Sequence, residues 1–310
     1  MNRRHALQTM TAASALPLAG ASAFSGKQKK KSQFRFSLNT STISGQKQGI
    51  EKYIDIAARA GYECMEIWVS DVKAYVSNGG SLRALKKLFD DSHIAPVNTI
   101  GFATWMTDDD EQRKAGFKQM REEMKMVAQI GCPRIAAPAA GVKTPNPDLF
   151  KVGERYRDLL EMGRQTGVTP QLEIWGSSVF SHIGQAMMAV AVANDPAGRI
   201  LPDVYHLFRG DSGFESLKML DGRLIEIFHM NDYPGTIPRE QMEDKDRVYP
   251  GDGVAPFNQL IANLKEMGGE QIFSLELFNR AYWKQDPLLV ARTGLERMRA
   301  VVGKSVAGGR

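Results

Sequence analysis

The sequence predicts an α/β fold: a single-domain (β/α)8 TIM barrel preceded by a cleavable export signal. Three observations carry that expectation. Short apolar runs alternate with helix-length amphipathic segments along the body of the chain, and such alternation builds a parallel sheet. Counting the runs gives eight units over about 270 residues, the size of a closed barrel. The last four runs each end in a side chain able to bind metal, where barrel strands converge on one mouth. No strand leads into a Gly-x-Gly-x-x-Gly loop, so the doubly wound open sheet lacks support.

In chain order, strands are expected over 34–42, 64–70, 95–101, 133–141, 169–176, 200–207, 224–232 and 271–279. Each is rich in β-branched, aromatic or other apolar residues. Amphipathic helices are expected over 49–60, 81–92, 111–130, 148–166 and 257–267. Turn signals close several of them, as at Ala60-Gly61, Ile130-Gly131, Thr166-Gly167 and Met267-Gly268. Loops over 70–80, 101–110, 141–147 and 232–256 come after strands and so fall on the catalytic side. No linker-like stretch divides residues 32–303, and 304–310 reads as a tail.

Residues 1–31 form the leader. Arg3-Arg4 precedes a mildly apolar, acid-free stretch with small residues around Ala19-Gly20-Ala21, the layout of an export signal of the twin-arginine type, followed by a basic spacer. A periplasmic location is the resulting expectation. The leader also accounts for the basic balance: it holds six of the cations and no acid, so the chain's +5 becomes −1 for the remainder. A near-neutral body gives no electrostatic case for nucleic acid. No apolar stretch approaches the ~20 residues of a spanning helix, so no membrane contact is expected once the signal is cleaved. Cys64 and Cys132 start predicted strands and read as structural.

Glu173, Asp203, His229 and Glu276 stand at or near the ends of strands five to eight. Charges in a barrel core must be paired or ligate metal. Three oxygens and one nitrogen suit one divalent ion; manganese or magnesium is favoured, with cobalt and zinc accommodated. His206 and Asp232, each three residues beyond a proposed ligand, are substrate or supporting candidates. Trp68, Trp105 and Trp175 are expected to present flat faces to the substrate. Asn39, Glu66 and Asn98 are weaker polar candidates. Arg209, Arg239 and Arg280 are cations for an anionic substituent, though no phosphate-cradling glycine loop accompanies them. His93 and His182 fall in helical segments.

The motifs Leu172-Glu173, Asp203-Val204-Tyr205-His206, Phe228-His229-Met230-Asn231-Asp232, Tyr249-Pro250-Gly251-Asp252-Gly253 and Ser274-Leu275-Glu276 resemble the xylose isomerase-like superfamily, in its sugar phosphate isomerase/epimerase branch. The resemblance covers residues 34–302. It implies that Glu173 and Glu276 bind the metal and also exchange protons with a carbohydrate substrate. Removing a proton beside a carbonyl creates an enediolate, and two carboxylates on opposite faces of that carbon allow abstraction and return. The expected activity is therefore a metal-dependent sugar isomerase or epimerase. The alternatives are a periplasmic lyase or hydratase acting on 3-keto-glycosides or oxidised sugars, and a non-catalytic sugar-binding barrel. A related three-zinc nuclease is disfavoured, because no histidine lies on the first four strands. A homo-oligomer is compatible with all of these.

Overall fold

The computed structural model describes residues 33–307; the leader, with its expected export signal, and residues 308–310 of the tail lie outside the described residues. Strand β1 (Phe34–Asn39) leads through a short 3-10 turn to helix α1 (Ile50–Ala60). Gly61 ends that helix at φ 92°, a conformation open to glycine at little cost. Next come β2 (Cys64–Trp68), α2 (Val69–Ser77), α3 (Leu82–Asp91) and β3 (Ala95–Ile100). Then come α4 (Asp110–Gln129), β4 (Arg134–Pro138), α5 (Leu149–Thr166) and β5 (Thr169–Glu173). The second half contains α6 (Ile183–Ala193), β6 (Ile200–Leu201), α7 (Val204–Arg209), β7 (Ile227–Met230), α8 (Phe257–Met267), β8 (Gln271–Leu275) and α9 (Pro287–Ala307).

Helix starts are set locally. Ser81, Asp109 and Asp148 each accept a backbone N–H of the first turn of α3, α4 and α5. His182, exposed, caps α6 in the same way, and His93 sits exposed just beyond α3 at φ 54° rather than within a helix.

Among the described residues, strands β1 to β8 pair in parallel, in two hydrogen-bonded arcs ordered β3-β2-β1-β8-β7 and β4-β5-β6. A bridge between Asp203 and His229, with the His229 N–H donating to Pro202 O at 2.9 Å, joins β6 to β7. At the other seam, Thr99 Oγ1 donates to Arg134 O at 2.9 Å. The barrel interior holds a small apolar plug that includes Cys64, Val97, Ile100, Leu201, Ile227 and Ile272, while the larger core lies between strands and helices.

Two expectations are corrected. Residues 70–80 are mostly helix α2 rather than a loop, because Val69 and Val72 are buried against the barrel at helical spacing. The sixth strand is only two residues long: Pro202 has no N–H to continue a ladder, and Asp203 instead caps α7. His206 therefore belongs to a helix.

Candidate active site

Glu173 closes β5, His229 lies within β7, and Glu276 comes directly after β8. Asp203 Oδ1 accepts the His206 N–H at 2.8 Å, which turns the side chain inward at the mouth. All four side chains are buried. One donor atom from each of Glu173, His229 and Glu276 lies within 4.8 Å of the others. Around His229 Nδ1, Glu276 Oε2 stands at 3.1 Å, Glu173 Oε1 at 3.6 Å and Asp203 Oδ2 at 3.6 Å. Three of the four residues expected to share one ion thus converge, and Asp203 stands beside them with its Oδ2 accepting from Asn231 Nδ2 at 2.8 Å and Arg247 Nη1 at 3.1 Å.

Their chemistry fits a divalent cation. His229 Nδ1 and Glu173 Oε2 are buried without an aligned hydrogen-bond partner, which is costly unless another group meets them. Burial lifts Glu173 well above the ordinary carboxylate range; nearby Glu276, Glu66 and Asp203 add to the rise against the pull of His229. Burial opposes charge on His229, but Glu276 and Glu66 outweigh it and raise the imidazole well above its usual value. Glu276 is lowered despite burial, by His229 and Arg247. Carboxylates gathered this closely call for positive charge, which a bound cation would supply.

Arg247 is the main residue that sequence reasoning missed. It is 1% exposed and lies in the long loop after β7. Its Nη1 donates to Glu276 Oε2 at 2.9 Å and Asp203 Oδ2 at 3.1 Å, and its Nη2 pairs with Asp244. The guanidinium rests 4.5 Å from the Tyr205 ring centroid and 5.0 Å from that of Phe278. No local pattern marks it, since it sits in irregular chain without periodicity.

His206 is buried beside it. Burial brings the imidazole down to about 3 against the pull of Asp203, with Arg247 adding to burial, so the ring is neutral. Nδ1 accepts the Gly176 N–H at 3.1 Å, which leaves the ring proton on Nε2, 3.1 Å from Arg247 Nη2. Two donors therefore face each other at the cleft wall, and an oxygen brought between them would satisfy both.

The cleft is about 240 Å³ and is lined by Glu173, His206, Arg247 and Glu276 beneath an aromatic rim. Trp68, Trp175, Phe102 and Phe278 form that rim, with Ile100 also lining the cleft. Phe102 bridges the two tryptophans, with ring centroids 5.3 Å and 5.9 Å away.

Three expected substrate contacts are corrected. Trp105 is wholly buried, donates from Nε1 to Pro138 O at 2.9 Å and packs on Tyr156, because the chain after β3 folds back under α4 and α5. Asp232 is buried and takes four backbone N–H groups, from Tyr233, Gly251, Gly253 and Ala255, so it organises a loop and has no free oxygen for a sugar. Arg280 is exposed and lines a neighbouring depression with Lys245 and Trp283, outside the cleft over the carboxylates. Arg209 donates to Glu240 O and Arg239 pairs with Asp211, both away from the cleft lining.

A sequence model of the xylose isomerase-like TIM barrel matches residues 54–301. The chain belongs to that family. Among relatives, it is 26% identical to an inosose isomerase of Bacillus velezensis over 261 residues, covering 82% of this chain and 92% of that one. It is 27% identical to an inosose isomerase of Halalkalibacterium halodurans over 263 residues, covering 82% and 91%. Of solved structures, the IolI protein with a bound zinc atom superposes with TM-score 0.82 at 23% identity, over 87% of this chain and 99% of that one. An L-ribulose 3-epimerase superposes with TM-score 0.71 at 14% identity, over 88% and 96%. At these identities the structural likeness speaks to the fold.

Proposed function

We propose that this protein is a divalent-metal-dependent isomerase or epimerase of a small keto-polyol, a ketose or a cyclic inosose, working by proton transfer through an enediolate. The isomerase assignment rests on likeness to the inosose isomerases along most of both chains. The observation that carries the mechanism is a pair of buried carboxylates, Glu173 and Glu276, converging with His229 at the base of a sugar-sized cleft.

Glu173, Asp203, His229 and Glu276 would hold the ion. A bound divalent cation would act as a Lewis acid on the substrate carbonyl and ease loss of the proton from the carbon beside it. One carboxylate takes that proton, and the electron pair moves onto the carbonyl oxygen. His206 Nε2–H and Arg247 supply donors where negative charge develops. Return of a proton by the second carboxylate to the opposite face gives the epimer; return to the neighbouring carbon gives the isomer. The aromatic rim covers the apolar face of the ring and keeps bulk water from the intermediate. An oxygen-rich ligand set favours manganese or magnesium, and the zinc atom in IolI supports testing zinc on an equal footing. Export through residues 1–31 is part of the proposal and is checked by cell fractionation.

The test is proton exchange in deuterated water with inososes and ketoses, using chelator-treated protein reloaded with each metal. Deuterium should enter beside the carbonyl only in the reloaded protein. Glu173→Gln and Glu276→Gln should each slow exchange by about 10²–10⁴-fold. Full turnover by metal-free protein or by either variant would overturn the mechanism.

A further inference from the structure

We infer that Glu66 is a positioning residue: it selects which nitrogen of His229 faces the ion, and it shares with Glu276 the Asn39 amide that selects which Glu276 oxygen does so. The inference rests on the metal reading above but concerns a side chain outside the ligand set.

Glu66 sits in the middle of β2 with no exposed surface. Its Oε1 accepts from Asn98 Nδ2 at 2.6 Å, and both of its oxygens stand 3.0 Å from His229 Nε2. Its Oε2 accepts from Ser274 Oγ at 2.7 Å and Asn39 Nδ2 at 2.8 Å. A carboxylate offers about four acceptor sites and no proton, so these partners use it fully and leave nothing for an ion. Strand register builds the arrangement. Asn39 pairs with Glu66 across β1 and β2, and His229 pairs with Ser274 across β7 and β8. The register between β2 and β3 slips by one at this level, with Val97 as the extra residue, which brings Asn98 opposite Glu66.

Donor and acceptor pairing has two consequences. A proton on Nε2 directed at Glu66 leaves Nδ1, the nitrogen surrounded by the other carboxylates, as the coordinating atom. Asn39 cannot turn over: its Oδ1 already accepts from Ser41 N at 2.9 Å and Trp68 Nε1 at 3.1 Å. Its amide nitrogen must therefore face the carboxylates, where it bridges Glu66 Oε2 and Glu276 Oε1, the latter at 3.0 Å. That bond leaves Glu276 Oε2 as the oxygen beside His229 Nδ1. Glu173 has no such tether, and its Oε2 stays unpartnered. Glu66 thus holds His229 directly and braces, through the shared Asn39 amide, the bond that orients Glu276.

Glu66→Gln is nearly isosteric but turns one acceptor into a donor. An amide nitrogen toward His229 would shift the ring proton to Nδ1 and remove the coordinating lone pair. Turned the other way, it would set a donor against the Asn39 amide and strain the bond that Asn39 makes to Glu276. Glu66→Asp keeps both acceptors on a shorter arm. Metal affinity is read by competition with a chromophoric chelator, using manganese and zinc. The His229 ring is read by long-range ¹H–¹⁵N NMR of the zinc-loaded protein, assigned with a His229→Gln variant. We expect wild type to bind, with a single tautomer protonated at Nε2. Glu66→Gln should bind about 10–100-fold more weakly, with that signature lost, and Glu66→Asp should recover part of both. If Glu66→Gln does not fold, Glu66→Asp carries the test, with an affinity loss and a shifted Nε2 signal expected. Wild-type affinity and an unchanged His229 spectrum in the folded variants would overturn the inference while leaving the metal reading intact. A wild type that binds neither ion would overturn both.

Discussion

Three tryptophans stand near strand ends, and their fates differ by what their indole nitrogens meet. Trp68 donates to Asn39 and keeps a face on the cleft, and Trp175 lies on the opposite rim. Trp105 turns inward to the Pro138 carbonyl. Replacing it with Ala should cost about 3–5 kcal/mol, the range for a large buried aromatic. Trp105→Phe keeps most of the volume but orphans a buried carbonyl, a loss of roughly 1–3 kcal/mol. Urea titration measures both, and KM of the Phe variant should stay at the wild-type value. Trp175→Ala should show the reverse: an unchanged urea midpoint and a raised KM.

Among elements, the loop between β7 and α8 depends on one carboxylate. Asp232 Oδ1 accepts from Tyr233 and Ala255, and Oδ2 from Gly251 and Gly253, all at 2.8–2.9 Å. The approach is so close that a Cβ on Gly253 would stand 2.2 Å from the Tyr233 carbonyl oxygen, which explains the glycine. This loop also carries Arg247 to the site, and Val248 pairs with Asp232 in an antiparallel bridge. Asp232→Ala should release the segment around residues 248–255, seen as faster amide hydrogen exchange there, and should lower kcat by displacing Arg247. The helices packed on β2 and β3 should exchange as in wild type.

At the scale of the whole barrel, two hydrogen-bonded arcs must be held together at two seams, and the floor does part of this with charge. Glu226, at the entry to β7, pairs with Arg134 of β4 and with Arg199 before β6, the latter at 2.9 Å. Arg134 also donates to Val97 O of β3 at 3.2 Å, so the triad spans both seams. Burial would raise Glu226, but the two arginines outweigh it and hold it below its ordinary value of 4.5. A carboxyl depressed in the folded state contributes stability that is present above its unfolded pKa. That contribution is lost as pH falls through the folded value. Glu226→Gln should therefore cost roughly 1–3 kcal/mol at neutral pH. Below pH 4.5 its stability should approach that of wild type, as thermal melts across the acid range would show. An equal gap at all pH values would rule out the ionic role.

Much of this protein is legible in the unfolded chain. The eight-fold alternation and the turn glycines depend on neighbours within one helix or strand, and the strand-end positions of Glu173, His229 and Glu276 are set once strands share a direction. What tertiary structure alone decided is contact between distant segments. Glu66 meets His229 only when β2 and β7 face each other across the closed ring. Arg247 reaches Asp203 and Glu276 from a loop without periodicity. Loop packing buried Trp105 under the helices, drew Asp232 onto its own loop and left Arg280 outside the cleft. Sequence periodicity encodes which face of an element is apolar. It carries no record of which polar atoms from remote elements will meet in the space those faces enclose, and that meeting determines which residues can do chemistry.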